Sequence, residues 1–247
     1  MEIARSSEID WAERSGGRAT AGQSRTLIKL LHQGDPGAPG NFEMVIARYP
    51  APRDYPEHRH SVDQVRLTLV GTSPWAPGRA TPEGGVVYIP GGTPYGPYTR
   101  PAGIELMAVQ FEAAGGIPFA GEASSQEGPF LAPRFSTPIE LDPAAFAWST
   151  PAPGVSVKEM AVLGEGGVRI AAIRLEQGAA WPVDVDQVTL LFVIAGSGTA
   201  GGAPVSERDA VRLEPGESCN IAGAPAIEIF VLGLNRPAGA SPRLAED

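Results

Sequence analysis

The chain repeats itself, and the repeat limits its fold more than any other feature does. Val62-Asp63-Gln64-Val65 recurs as Val185-Asp186-Gln187-Val188, and each copy runs into an apolar stretch that ends at a glycine, Gly71 or Gly196. Downstream, Val87-Tyr88-Ile89-Pro90-Gly91 is matched by Arg212-Leu213-Glu214-Pro215-Gly216. Upstream, Tyr55 to His60 faces Trp181 to Asp186 once three residues are dropped from the second copy. Three segments in one order, roughly 125 residues apart, indicate two copies of one unit. With 247 residues, the chain is long enough for one large domain or two small ones.

The unit is built from strands. With 31 glycines and 25 prolines there is little room for long helices, and tight turns between short strands are favoured. Runs rich in Val, Ile, Leu and aromatics predict strands at 26–31, 42–49, 64–70, 86–89 and 104–111. A second set is predicted at 156–163, 168–175, 188–194, 210–213 and 227–234. Residues 113–133 turn to Gly, Pro, Ala and Ser and read as a linker or long crossover. One short helix is expected after Asp142, with Asp142 as N-cap and Pro143 in its first position. Gly164 to Gly167 reads as a hairpin turn. The expected divisions are an arm at 1–25, a first domain at 26–113, a linker at 114–154, a second domain at 155–236 and a tail at 237–247.

The net charge of -9 argues against nucleic acid, which needs clustered Lys and Arg. A single cysteine, Cys219, excludes an intrachain disulfide and suits a reducing compartment. No apolar leader or membrane-length run is present, so a cytoplasmic protein with no membrane partner is expected.

Of the three histidines, two form His58-x-His60. On a strand, residues two apart share a face, so both imidazoles can point to one transition metal. Gln64, on the same face if the strand is unbroken, offers an amide oxygen as a third ligand. The plainer alternative is an exposed, solvated pair. In the second copy Asp184 and Asp186 stand where the histidines would be, with Cys219 nearby, and that half reads as structural. Tyr88, Tyr95 and Tyr98 cluster among Pro and Gly and are candidates for a pocket mouth. Arg48, Glu57 and Arg66 flank the histidines as candidate partners of an acidic substrate. His32 has no partner in sequence and reads as structural.

These residues resemble the cupin superfamily. His58-x-His60, then Gln64 and Gly71, is similar to its first motif, and Gly85 followed by Pro90-x-Gly92-x-x-Tyr95 is similar to its second. With the repeat, the whole resembles a bicupin. The resemblance implies an all-β fold of two tandem jelly-roll barrels, or double-stranded β-helices. It also implies a divalent metal (Fe, Mn, Ni or Zn) on His58, His60, Gln64 and Tyr95. Gln64 stands in place of the family's Glu, and Tyr95 in place of its last His.

The leading expectation is a metal-dependent enzyme acting on a small organic molecule, a dioxygenase that cleaves a ring or carbon–carbon bond. The alternatives are a metal-free isomerase, lyase or cyclase using Tyr95 and His58 as acid and base, or a ligand-binding protein without catalysis. A homodimer is expected.

Overall fold

The computed structural model describes residues 1–14, 25–35, 40–60, 62–111, 137–163 and 167–234. The first strands in chain order are β1 (Glu2–Ala4), β2 (Ala12–Glu13), β3 (Leu27–Gln33), β4 (Phe42–Arg48), β5 (Arg53–Tyr55) and β6 (Asp63–Val70). They are followed by β7 (Ser73–Ala76), β8 (Arg79–Thr81), β9 (Val86–Ile89), β10 (Tyr98–Arg100), β11 (Glu105–Phe111) and β12 (Ile139–Leu141). The later strands are β13 (Ser149–Ala152), β14 (Val155–Leu163), β15 (Val168–Leu175) and β16 (Ala180–Asp184). The last four are β17 (Thr189–Ala200), β18 (Ala203–Ser206), β19 (Ala210–Leu213) and β20 (Ser218–Gly233). Among the described residues there is no α-helix, and no helix is long and apolar enough to cross a membrane.

Two antiparallel sheets dominate. One has the order β12-β9-β6-β11-β4-β3-β2, and the other has the main path β1-β19-β17-β20-β15-β14-β13, with β16 on β20 and β18 on β17. Two ribbons, β5/β10 and β7/β8, complete the first part of the chain. The arrangement is all-β, and no sheet closes on itself among the described residues, so the expected closed barrels are not seen as such.

Period-two alternation explains how the sheets pack. In β6, Val65 and Leu67 point into an apolar core shared by both sheets, where they join Met107 and Val109 of β11 and Ile170, Phe192, Phe230 and Leu232 of the other sheet. In the second sheet the alternate residues, among them Ile173, Leu191, Val193, Ile229 and Val231, fill a separate apolar interior. The alternate residues of β6 are Gln64, Arg66 and Thr68, and these too are buried. On the opposite face of the first sheet these polar side chains are buried beside apolar residues such as Val87, Ile89 and Leu106, and that is where the site lies.

Several expectations change in detail. The helix after Asp142 is one 3-10 turn, Pro143–Ala145. Asp142 caps it, accepting from the Ala144 N–H at 2.9 Å, and the backbone is extended again by Phe146 on the way into β13. Within 114–154, β12 adds to β9 and β13 to β14, while residues 112–136 lie outside the described residues. Residues 164–166 of the expected hairpin and the tail from 235 lie outside them as well. The start of the arm lies on its own chain: β1 pairs with β19, Ile3 opposite Val211.

Candidate functional site

The two histidines do not sit on a regular strand. His58 makes an isolated antiparallel bridge with Tyr95, each donating its backbone N–H to the other's carbonyl at 3.0 and 2.9 Å, and the ladder of β6 begins only at Asp63. The condition of an unbroken strand from His60 to Gln64 is thus not met. Two local features hold the segment in place. Gly92 donates its N–H to the His60 carbonyl at 2.8 Å. Asp63, fully buried, accepts from the Tyr88 hydroxyl at 2.7 Å and the Gly91 N–H at 2.8 Å. Tyr88 thereby belongs to the shared core rather than to a pocket mouth.

All four predicted ligands nevertheless come together around Tyr95, His60 and Gln64 at its hydroxyl and His58 against its ring. His60 Nε2 lies 2.8 Å from the Tyr95 Oη, Arg66 donates to it from Nη2 at 2.6 Å, and Gln64 Oε1 is 3.4 Å away. The His58 ring lies on Tyr95, centroids 4.2 Å apart, and its Nδ1–H donates to the Pro56 carbonyl at 2.7 Å. That hydrogen bond fixes the tautomer and leaves the lone pair of His58 on Nε2.

Electrostatics keep both imidazoles neutral. Burial first, then repulsion between protonated His60 and His58, Arg66 and Arg14, pushes His60 down to about 3. Burial also lowers His58; the bond to Pro56 opposes this, while Arg66 and Arg100 add to it. Burial raises the Tyr95 phenol, with Arg66 opposing, so it stays protonated.

Behind Tyr95 lies a cage in which Tyr98 and Arg66, both expected from the sequence, are joined by Arg100, Tyr49 and Tyr55, which were not. Arg100, 1% exposed, donates to the Tyr49 hydroxyl at 2.5 Å, and its guanidinium lies over the rings of Tyr49, Tyr55 and Tyr98 at 4.5, 5.1 and 5.2 Å. Tyr98 accepts from both Arg66 and Arg100, at 3.5 and 3.4 Å. β5 and β10 build this cage, pairing Tyr55 with Tyr98 and Arg53 with Arg100. The available signal was the mirrored pair Arg53-Asp54-Tyr55 and Tyr98-Thr99-Arg100, which align residue for residue when antiparallel.

The other candidates are placed elsewhere. Arg48 pairs with Glu105 and lies over Trp11, and Glu57 is exposed. His32 is buried and lies 3.2 Å from the Ala210 carbonyl. In the second half Asp184 and Asp186 are exposed, while Cys219 is buried in the apolar interior.

The donor set fits a divalent metal poorly. Among the described residues no three of His, Cys, Asp and Glu are grouped to hold one. The oxygen donors here are an amide and a protonated phenol, and the phenol is already bonded to a guanidinium. A divalent ion about 5 Å from that fixed cation would be opposed by roughly 7 kcal/mol at an effective dielectric of 20.

No family model matches the sequence, and no curated protein does. Solved structures do resemble it. A candidate dioxygenase from Nostoc punctiforme superposes with a TM-score of 0.72 at 13% identity, over 95% of this chain and 82% of that one. Oxalate decarboxylase from Bacillus subtilis gives 0.60 at 11%, over 96% and 78%. Quercetin 2,3-dioxygenase from Acinetobacter baumannii gives 0.57 at 12%, over 95% and 86%. At such identities the likeness is one of fold alone.

Proposed function

We propose that this protein is a metal-independent cupin enzyme that moves a proton on a small organic molecule at His58 and Tyr95. One observation carries the reading. A neutral histidine with its Nε2 lone pair available lies against a buried phenol whose oxygen receives a guanidinium at 2.6 Å and lies 2.8 Å from a second histidine. With His60 as the Nε2–H tautomer, both acceptor positions of the Tyr95 oxygen are filled. Its own proton is then held only by the long contact to Gln64, weak enough to be exchanged for a substrate oxygen.

The chemistry follows from those positions. His58 Nε2 accepts the proton from a carbon next to a carbonyl. Negative charge grows on the carbonyl oxygen, and the Tyr95 hydroxyl donates to it, with Arg66 supplying the positive charge behind. Return of the proton at another carbon gives an isomerisation, and loss of a leaving group gives an elimination. The dioxygenase-type fold neighbours favour a second reading, an oxygen-consuming metal enzyme, which the donor set does not support.

The test is deuterium exchange. Chelator-treated protein in heavy water is incubated with a panel of 2-oxo acids and 1,3-dicarbonyls, and loss of the proton signal next to the carbonyl is followed by NMR. Catalysed exchange by wild type, cut about 100-fold in His58→Gln, is the expected result. No exchange with any member, or near-stoichiometric bound metal with oxygen uptake that the chelator abolishes, would sink the proposal.

A further inference from the structure

The tyrosine cage holds more positive charge than it balances. Arg66 and Arg100 are buried, 6% and 1% exposed, and share the Tyr98 hydroxyl. Among the described residues neither forms an ion pair with a carboxylate, and Arg53, stacked on Tyr55, forms none either. Among the described residues the hydrogen-bond partners of both guanidiniums are phenols: Tyr95 and Tyr98 for Arg66, Tyr49 and Tyr98 for Arg100. The Nε atoms of Arg100 and Arg53 are buried with no hydrogen-bond partner among the described residues. Elsewhere in this chain buried or half-buried arginines meet carboxylates: Arg48 and Arg208 both reach Glu105. Buried charges are expected to be paired, because each gives up its hydration on leaving water. A cage with two central guanidiniums and, among the described residues, no acid calls for an anion.

The walls suggest what carries that anion. Tyr55 and Tyr98 stack with centroids 4.9 Å apart, Tyr95 and Tyr98 lie near-parallel at 6.2 Å, and His58 borders both Tyr55 and Tyr95. Flat faces of this kind receive planar groups, while a guanidinium fork matches the two oxygens of a carboxylate.

We infer that the cage is a binding site for a small planar organic carboxylate, with Arg66 taking the carboxylate and Arg100 adding its charge from behind. This rests on the acid–base reading only for its location, and it narrows the substrate class of that same site. A carboxylate held at Arg66 sits beside Tyr95, which places the adjoining carbon in reach of His58.

The test compares benzoate with its neutral isostere benzamide by titration calorimetry against wild-type protein, with acetate and inorganic phosphate as further probes. Benzoate is expected to bind, and benzamide at least tenfold more weakly. Arg66→Gln should weaken benzoate about 10- to 100-fold, the worth of one charge-assisted hydrogen bond. Arg66→Lys, which keeps the charge without the fork, should be intermediate. If Arg66→Gln fails to fold, the benzoate–benzamide comparison on wild type decides alone. Equal binding of the two, tighter binding of phosphate than of benzoate, or no binding at 10 mM overturns the inference. So does a tyrosinate absorbance near 295 nm at pH 7 without ligand, which would make a cage phenol the missing anion. Benzoate binding without any deuterium exchange would leave this inference standing and remove the acid–base reading.

Discussion

At the scale of single residues, Tyr95 is the point on which the site turns. Its hydroxyl is the shared partner of Arg66 and His60, and its ring is the surface on which His58 lies. Tyr95→Phe separates these two contributions. The ring and its tilted contact with His58 are kept, while the Arg66 Nη2 and His60 Nε2 lose their common partner. Leaving buried polar groups unsatisfied costs about 1–3 kcal/mol, so the urea midpoint should fall. Exchange should fall about 100-fold, the usual effect of removing one oxyanion donor. Unchanged stability together with unchanged exchange would make the hydroxyl a bystander. His58, His60, Gln64 and Tyr95 were legible in the sequence because their motifs are local. Arg100 was not, because its partners Tyr49 and Tyr55 lie about fifty residues away and only strand pairing brings them close.

At the scale of elements, the site depends on how a short non-strand segment is pressed against the Tyr95 turn. Gly96 is where that approach is tightest. Its φ is +97°, and a Cβ added there would lie 2.9 Å from the Pro56 carbonyl oxygen, the same oxygen that orients His58. Gly96→Ala therefore meets both a disfavoured backbone region and a backbone atom that cannot move alone. A loss of about 2 kcal/mol is expected, together with faster amide exchange at His58 and Tyr95, whose mutual hydrogen bonds close the bridge. Gly84→Ala serves as the control. Its φ is +78°, but nothing lies within 4 Å of the added carbon, so only the backbone cost of about 1 kcal/mol applies and the bridge amides should keep their protection. Strand positions were readable from apolar alternation: 86–89, 168–175 and 210–213 match β9, β15 and β19 to the residue. Strand ends were less readable. β20 begins at Ser218, well before the predicted 227, because Ala222 and its neighbours pair with both β16 and β17, a tertiary demand that no local pattern carries.

At the scale of the whole molecule, the two large sheets are packed in different ways. The second half fills its interior with Val, Ile and Leu, while the first keeps a polar face and buries cations there. The shared core joins them, and this couples the ionisation of the histidines to the stability of the entire fold. All three histidines are held below their ordinary value. Burial dominates for each, and for His32 it outweighs the help of the Ala210 carbonyl and of Glu2, with Arg212 acting in the same direction as burial. A histidine whose folded pKa is depressed binds its proton more readily when unfolded. Its contribution is therefore complete above the unfolded value, near 6.5, and is lost as the pH falls below it. For His60, lowered to about 3, the loss between pH 7.5 and 5.5 amounts to about 1.4 kcal/mol, and His32 and His58 add losses of the same sign. Exposed ion pairs change little in this window, since carboxylates titrate mainly below it. Urea unfolding at the two pH values should show the fold weakening by at least that amount. His60→Asn, which cannot take up a proton, should flatten the dependence by about the His60 share. A stability that does not change between pH 7.5 and 5.5, or a slope that His60→Asn leaves intact, would mean that the imidazoles stay hydrated and that the polar face is open to water.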